Sequence, residues 1–144
     1  MNYKVSHPTK KIFCEIDLPA SKSISNRLLI ISALCLNKFK IQNLSDSQDT
    51  MSLKNAIDSN NRTLDVGAAG TSFRFLTAFL STLDGLEYIL TGSERMKERP
   101  IKELVDSLRK LGAEIEYLGK ENFPPLKITG KNLTGGKIQI DGSI

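Results

Sequence analysis

The residues best suited to chemistry sit in Leu18-Pro-Ala-Ser-Lys-Ser-Ile-Ser-Asn-Arg27. Lys22 and Arg27 are permanent cations and Ser23 supplies a hydroxyl. The pattern predicts an extended segment ending at Pro19, a short polar turn carrying Lys22, and an apolar helix beginning near Ser23 to Ser25. Ser23 and Arg27, at i and i+4, then share one helical face. The start of such a helix adds unpaired backbone N–H groups and the positive end of the helix dipole. Together these groups suit a phosphate or a carboxylate better than a neutral ligand. A serine-capped helix beside two solvated cations accounts for the same residues in purely structural terms.

Two more stretches follow the same logic. Gly67-Ala-Ala-Gly70-Thr71-Ser72 lies between a short strand, Thr63 to Val66, and a helix running to Leu83 that Gly85 closes. Glycines there let backbone approach a ligand, with Gly70 expected to use angles that other residues avoid. An ordinary structural turn is the plainer reading. Arg74, one turn into the helix, suits an anion or a carboxylate partner equally. The third stretch, Thr91-Gly-Ser-Glu-Arg-Met-Lys-Glu-Arg99, brings Arg95, Lys97 and Arg99 together with Glu94 and Glu98. A charge run of this kind is usually a solvated surface. Three anion-ready loops, each at a strand-to-helix junction, are expected on the same edge of one sheet, where ligands gather in α/β folds.

The elements that must position these loops alternate in type. Lys11 to Leu18 reads as a strand, Ser25 to Leu36 as a helix apolar nearly all round and hence buried on most sides, and Phe39 to Ile41 as a strand. Asp46 or Ser47 caps a helix to about Asp58, with Met51, Leu53, Ala56 and Ile57 facing inward. Glu87 to Leu90 is a strand, and Pro100 opens a helix ending at Gly112 whose inner face is Leu104, Val105, Leu108 and Leu111. Glu114 to Leu118, Leu126 to Thr129 and Lys137 to Ile140 complete the set as strands. The class is α/β, with a strand-rich end that argues against a plain doubly wound sheet. The closing strand and turn before Ile144 have nothing after them to cover them, as in a fragment of something longer.

Composition narrows the function. The chain of 144 residues, 40% hydrophobic and 25% charged, supports one domain with a core. A net charge of +4 fits a small anion, and no basic run interleaved with aromatics points to nucleic acid. Cys14 and Cys35 have no metal-type spacing and are read as incidental packing in a reducing compartment; the single histidine, His7, lies in a polar tail. Neither a zinc site nor a histidine relay is expected. No signal peptide is visible, and the longest apolar run, Leu28 to Leu36, is too short for a membrane span, so a cytoplasmic protein is expected.

With these stretches assembled, the chain resembles the N-terminal third of the 5-enolpyruvylshikimate-3-phosphate (EPSP) synthase family. The matching segments are Leu18 to Arg27, Gly67 to Thr71, Leu90 to Pro100 and Glu121-Asn-Phe-Pro-Pro-Leu126, in the family's order. Arg-Met-Lys-Glu-Arg-Pro and the Ser-Lys-Ser loop are the most specific. The sister family acting on UDP-N-acetylglucosamine typically has Lys-Asn at Lys22-Ser23. The resemblance implies transfer of the enolpyruvyl group of phosphoenolpyruvate to the 5-hydroxyl of shikimate-3-phosphate, without metal or organic cofactor, in a monomeric enzyme. By position, Lys22, Ser23 and Arg27 would hold shikimate-3-phosphate; Lys22, Gly70 through its backbone, and Arg95 would hold phosphoenolpyruvate. It also implies an inside-out α/β barrel of repeated strand–helix units, incomplete here. Residues 1–18 would belong with another domain, and residues 19–144 would form most of two repeat units. Three positions depart from the pattern: Ala68 replaces a usual asparagine, Phe75 a common proline and Ala20 a common glycine. No acidic residue is assigned as the catalytic base; Asp46 or Asp49 near the site is the candidate. The catalytic residues are expected beyond residue 144, so residues 1–144 alone are expected to be inactive. The rival readings are a UDP-N-acetylglucosamine transferase and a stand-alone anion-binding module without catalysis.

Overall fold

The computed structural model describes residues 3–11, 13–37 and 39–140. Helix α1, Lys22–Leu34, starts earlier than the apolar pattern suggests because Ser21 is its N-cap, its Oγ accepting from the Ile24 N–H. Lys22 is therefore the first helical residue and not part of the turn. Helix α2, Gln48–Asp58, is capped by Ser47, whose Oγ accepts from the Thr50 N–H. Its inward face centres on Leu53 and Thr50, both fully buried, with Ala56 and Ile57 partly so. Met51 is exposed, contrary to expectation.

Strand β1, Thr63–Asp65, leads through the glycine turn into helix α3, Gly70–Leu80. Strand β2, Glu87–Thr91, runs parallel to β1. A short helix α4, Glu94–Lys97, forms inside what reads as a charged loop, and helix α5, Lys102–Lys110, begins two residues after Pro100. Strands β3, Glu114–Tyr117, and β4, Leu126–Thr129, close a sheet of order β1-β2-β4-β3, with β4 antiparallel to both neighbours. Alternation sets its faces: Leu64, Leu90, Ile115, Leu126 and Ile128 point into the core while residues between them are exposed or half-buried. Phe73, Leu76 and Leu80 of α3 and Val105 and Leu108 of α5 supply the facing layer. Helices α1 and α2 pack together beside α3.

Three expected strands are absent. The described residues of the Lys11–Leu18 and Phe39–Ile41 segments, and Lys137–Ile140, pair with none of the four strands; Ile12 and Lys38 lie outside the described residues. Phe13, Ile16 and Leu18 are left exposed. A strand exists only when a neighbour takes up its N–H and C=O groups, and no neighbour does so here. Helix α1 is also less covered than its composition implies. Ile24, Ile31 and Leu34 are 61%, 49% and 57% exposed, since among the described elements α1 packs mainly against α2 and α3. Cys14 and Cys35 are exposed free thiols and not packing residues. No described helix is long and apolar enough to cross a membrane, and no metal-ligating cluster forms among the described residues.

Candidate anion-binding site

The predicted residues fall into two groups. In the first, on α1, Arg27 folds back on Ser23, donating to the Ser23 carbonyl at 3.0 Å and to its hydroxyl. The same guanidinium lies 5.7 Å from the centre of the Phe75 ring on α3. Phe75 thus forms a wall beside Arg27. Lys22 Nζ sits 3.3 Å from Asp49 Oδ2 in the first turn of α2, with the lysine side chain half exposed. A cation at a helix start opposes the dipole, and the Asp49 carboxylate offsets this. Asp49 is accordingly a partner of Lys22, and Asp46 is exposed.

In the second group, the turn after β1 meets the turn after β2. Ser93 N–H donates to the Gly67 carbonyl at 3.0 Å, and a Cβ on Gly92 would fall 2.9 Å from Met96 Cγ and closer to that carbonyl. Glycine at position 92 is what lets the two turns touch. Ala68, Arg95, Met96 and Arg99 line a cleft of about 480 Å³ between them. The positive φ of this turn belongs to Gly67, at +59°, and not to Gly70. Gly70 is instead the buried first residue of α3, and the guanidinium of the exposed Arg99 lies directly against it. Helix α3 has no side-chain cap, unlike α1 and α2. Its first amides are thus open to an anion.

Arg74 is half-buried and donates to the Pro100 carbonyl at 3.0 Å, tying α3 to the end of the third loop. Burial, and then the charge of Arg99, pull its pKa below the ordinary value, with Glu103 opposing. Neither Arg95 nor Arg99 has an ion-pair or side-chain hydrogen-bond partner among the described residues.

The two groups are connected through α2. The Asp49 side chain meets Lys22, while its backbone carbonyl accepts from Ser72 Oγ at 2.8 Å in the first turn of α3. The helix starts of α1, α2 and α3 are thereby linked. Only the second and third loops sit on one sheet edge, after parallel neighbours β1 and β2. The first loop follows no strand and reaches the others by helix packing. Arg99 and Arg74 stand beside the predicted residues at this site. Arg99's signal was its place four residues after Arg95, which a four-residue helix brings to the same cleft.

This is an α/β sheet unit with cations and uncapped helix amides gathered at one end, a set of groups suited to small anions. A sequence profile for EPSP synthase (3-phosphoshikimate 1-carboxyvinyltransferase) matches residues 6–59 and 52–144. The chain belongs to the EPSP synthase family. It is 50% identical over its whole length to the 3-phosphoshikimate 1-carboxyvinyltransferase of Bacteroides fragilis and 43% identical, over 95% of its length, to that of Photobacterium profundum. It spans 35% and 38% of those relatives, roughly a third of their length. In fold it is similar to EPSP synthase from Acinetobacter baumannii, with a TM-score of 0.70 at 23% identity, covering 80% of this chain and 31% of that one.

Proposed function

We propose that residues 1–144 form a substrate-binding part of an enzyme that transfers the enolpyruvyl group of phosphoenolpyruvate to the 5-hydroxyl of shikimate-3-phosphate, releasing phosphate on the route to chorismate and the aromatic amino acids. Lys22, Ser23 and Arg27 hold shikimate-3-phosphate; Lys22, the backbone at Gly70 and Arg95 hold phosphoenolpyruvate. The observation that carries this reading is the linkage from Lys22 through Asp49 to Ser72, which joins the two groups of anion-ready residues. The activity for which those relatives are named supports it.

Both substrates are anions and repel each other. Fixed cations and helix amides offset that repulsion, and because they are positioned beforehand, they need not reorganise as charge shifts in the transition state. Asp49 holds Lys22 between the two groups, and Phe75 limits where Arg27 can turn. The reading invokes no metal and no organic cofactor. Proton transfer is assigned to no residue here. The domain is an inside-out α/β barrel of repeated units: β1-α3-β2-α5-β3-β4 is one unit and the α1–α2 pair belongs to another, with residues 1–18 contributing to a second domain. The enzyme acts as a cytoplasmic monomer.

The test is release of phosphate from the two substrates by a full-length protein carrying residues 1–144. Turnover is expected, and Lys22→Met is expected to reduce it by about 100-fold or more. A well-folded protein that releases no phosphate from this pair would overturn the reading.

A further inference from the structure

The cleft between the second and third loops holds a cation that this reading leaves without a task. Arg99 follows Arg95 by four residues, and its guanidinium rests on the first residue of α3. A Cβ built on Gly70 would fall 2.9 Å from Arg99 Cζ and closer still to Nη1. The start of α3 carries positive potential and no side-chain cap. Arg74 is close enough for its own protonation to be opposed by Arg99, and Arg95 lines the same cleft. Among the described residues no carboxylate pairs with Arg99, although Glu94 and Glu98 are its near neighbours in sequence. Like charges crowded around uncapped amides are stabilised when an anion enters between them.

We propose that Arg99 is a further anion-contacting residue of the phosphoenolpyruvate half-site, gripping one anionic group of that substrate together with Arg95 and the open amides at Gly70. The inference rests on the function proposed above. Its planar fork of donors matches a phosphate or carboxylate in a way a lysine cannot. Arg74 is then a positioning residue: by holding the Pro100 carbonyl it fixes the backbone next to Arg99.

The test is an NMR titration of the 144-residue chain with phosphoenolpyruvate, in the presence of shikimate-3-phosphate, following the amides of Gly70 and Thr71. Wild-type, Arg99→Gln, Arg99→Lys and Lys54→Gln chains are compared, the last removing one positive charge far from the cleft in sequence, on α2. Saturable shifts are expected for wild type and Lys54→Gln, with affinity about tenfold weaker for Arg99→Gln and partly restored in Arg99→Lys. Wild-type affinity in Arg99→Gln would overturn the role of Arg99 and leave the proposed function standing. Absence of saturable shifts in wild type up to roughly millimolar ligand would overturn the Arg99 contact in this chain, while phosphate release by the full-length protein decides the proposed function. If Arg99→Gln loses its dispersed spectrum, Arg99→Lys decides: affinity equal to wild type overturns the contact, and weaker affinity supports it.

Discussion

Arg27 is held from two sides, by Ser23 on its own helix and by the Phe75 ring across from it. An exposed cation–π contact of this kind contributes about 0.5–1 kcal/mol, which is enough to bias the side chain without immobilising it. Phe75→Leu is therefore expected to weaken binding of shikimate-3-phosphate by roughly two- to fivefold, as measured by titration, while leaving the melting midpoint nearly unchanged. An unchanged affinity would mean that Ser23 alone orients Arg27. The gathering of Lys22, Ser23 and Arg27 at one helix start was legible, because residues four apart share a helical face. Their neighbours were not. That Phe75 would face Arg27, or that Arg99 would cover Gly70, depends on how α1, α3 and α4 come together, which no local pattern encodes.

At the scale of elements, the junction of α1 and α2 is fastened by buried polar groups. Thr50 Oγ1 donates to Asn26 Oδ1 at 2.7 Å and lies 2.9 Å from Ser47 Oγ, and Ser25 Oγ accepts from the Ser45 N–H at 2.9 Å. Asn26 is fully buried and its Nδ2 has no partner, so its carbonyl oxygen depends on Thr50. Thr50→Val is expected to cost about 1–3 kcal/mol in urea denaturation, because it strands that oxygen. A change below a few tenths would show that the amide finds another partner.

Helix α5 carries a pH dependence. The hydrogen bond from Lys102 holds the Asp106 carboxyl below its ordinary 3.8. A carboxylate with a depressed folded pKa stabilises the fold above the unfolded value and loses that contribution as pH falls through the folded one. Asp106→Asn is thus expected to lower the melting midpoint slightly at neutral pH and to have no effect well below pH 3.8, the effect being small because the pair is exposed. An equal loss at both pH values would point to packing and not charge. Helices were the legible elements here: Ser47 announced α2, and the apolar run announced α1 to within a turn. The strands read at Lys11–Leu18, Phe39–Ile41 and Lys137–Ile140 failed for one reason. Alternation states which residues are able to pair, but pairing needs a second strand at the right distance.

For the whole molecule, burial is uneven across the described residues. The sheet β1-β2-β4-β3 has one face buried by α3 and α5, whereas α1 leaves an apolar groove of about 380 Å³ against α3, lined by Ile30, Ile31, Leu34, Phe75, Ala78 and Phe79. The α/β class and the order β1, α3, β2, α5, β3, β4 were legible in the sequence, because turns with glycine at Gly85 and Gly112 punctuate clean periodic segments; α4 and the end of the chain were not. The uncovered face of α1 was not, since apolar composition reports what a helix tends to bury and not what is present to bury it. The site lies at the meeting of three helix starts and two loops, so its geometry depends on this assembly and not on any one motif.

The most direct measurement is an NMR titration of the 144-residue chain with shikimate-3-phosphate, following the amides of Lys22, Ser23 and Arg27. Saturable shifts at these residues, absent with plain shikimate, are expected if the α1 group is preformed and reads the phosphate. A dispersed spectrum with no shifts up to roughly millimolar ligand, or equal shifts with plain shikimate, would contradict a working half-site in this chain.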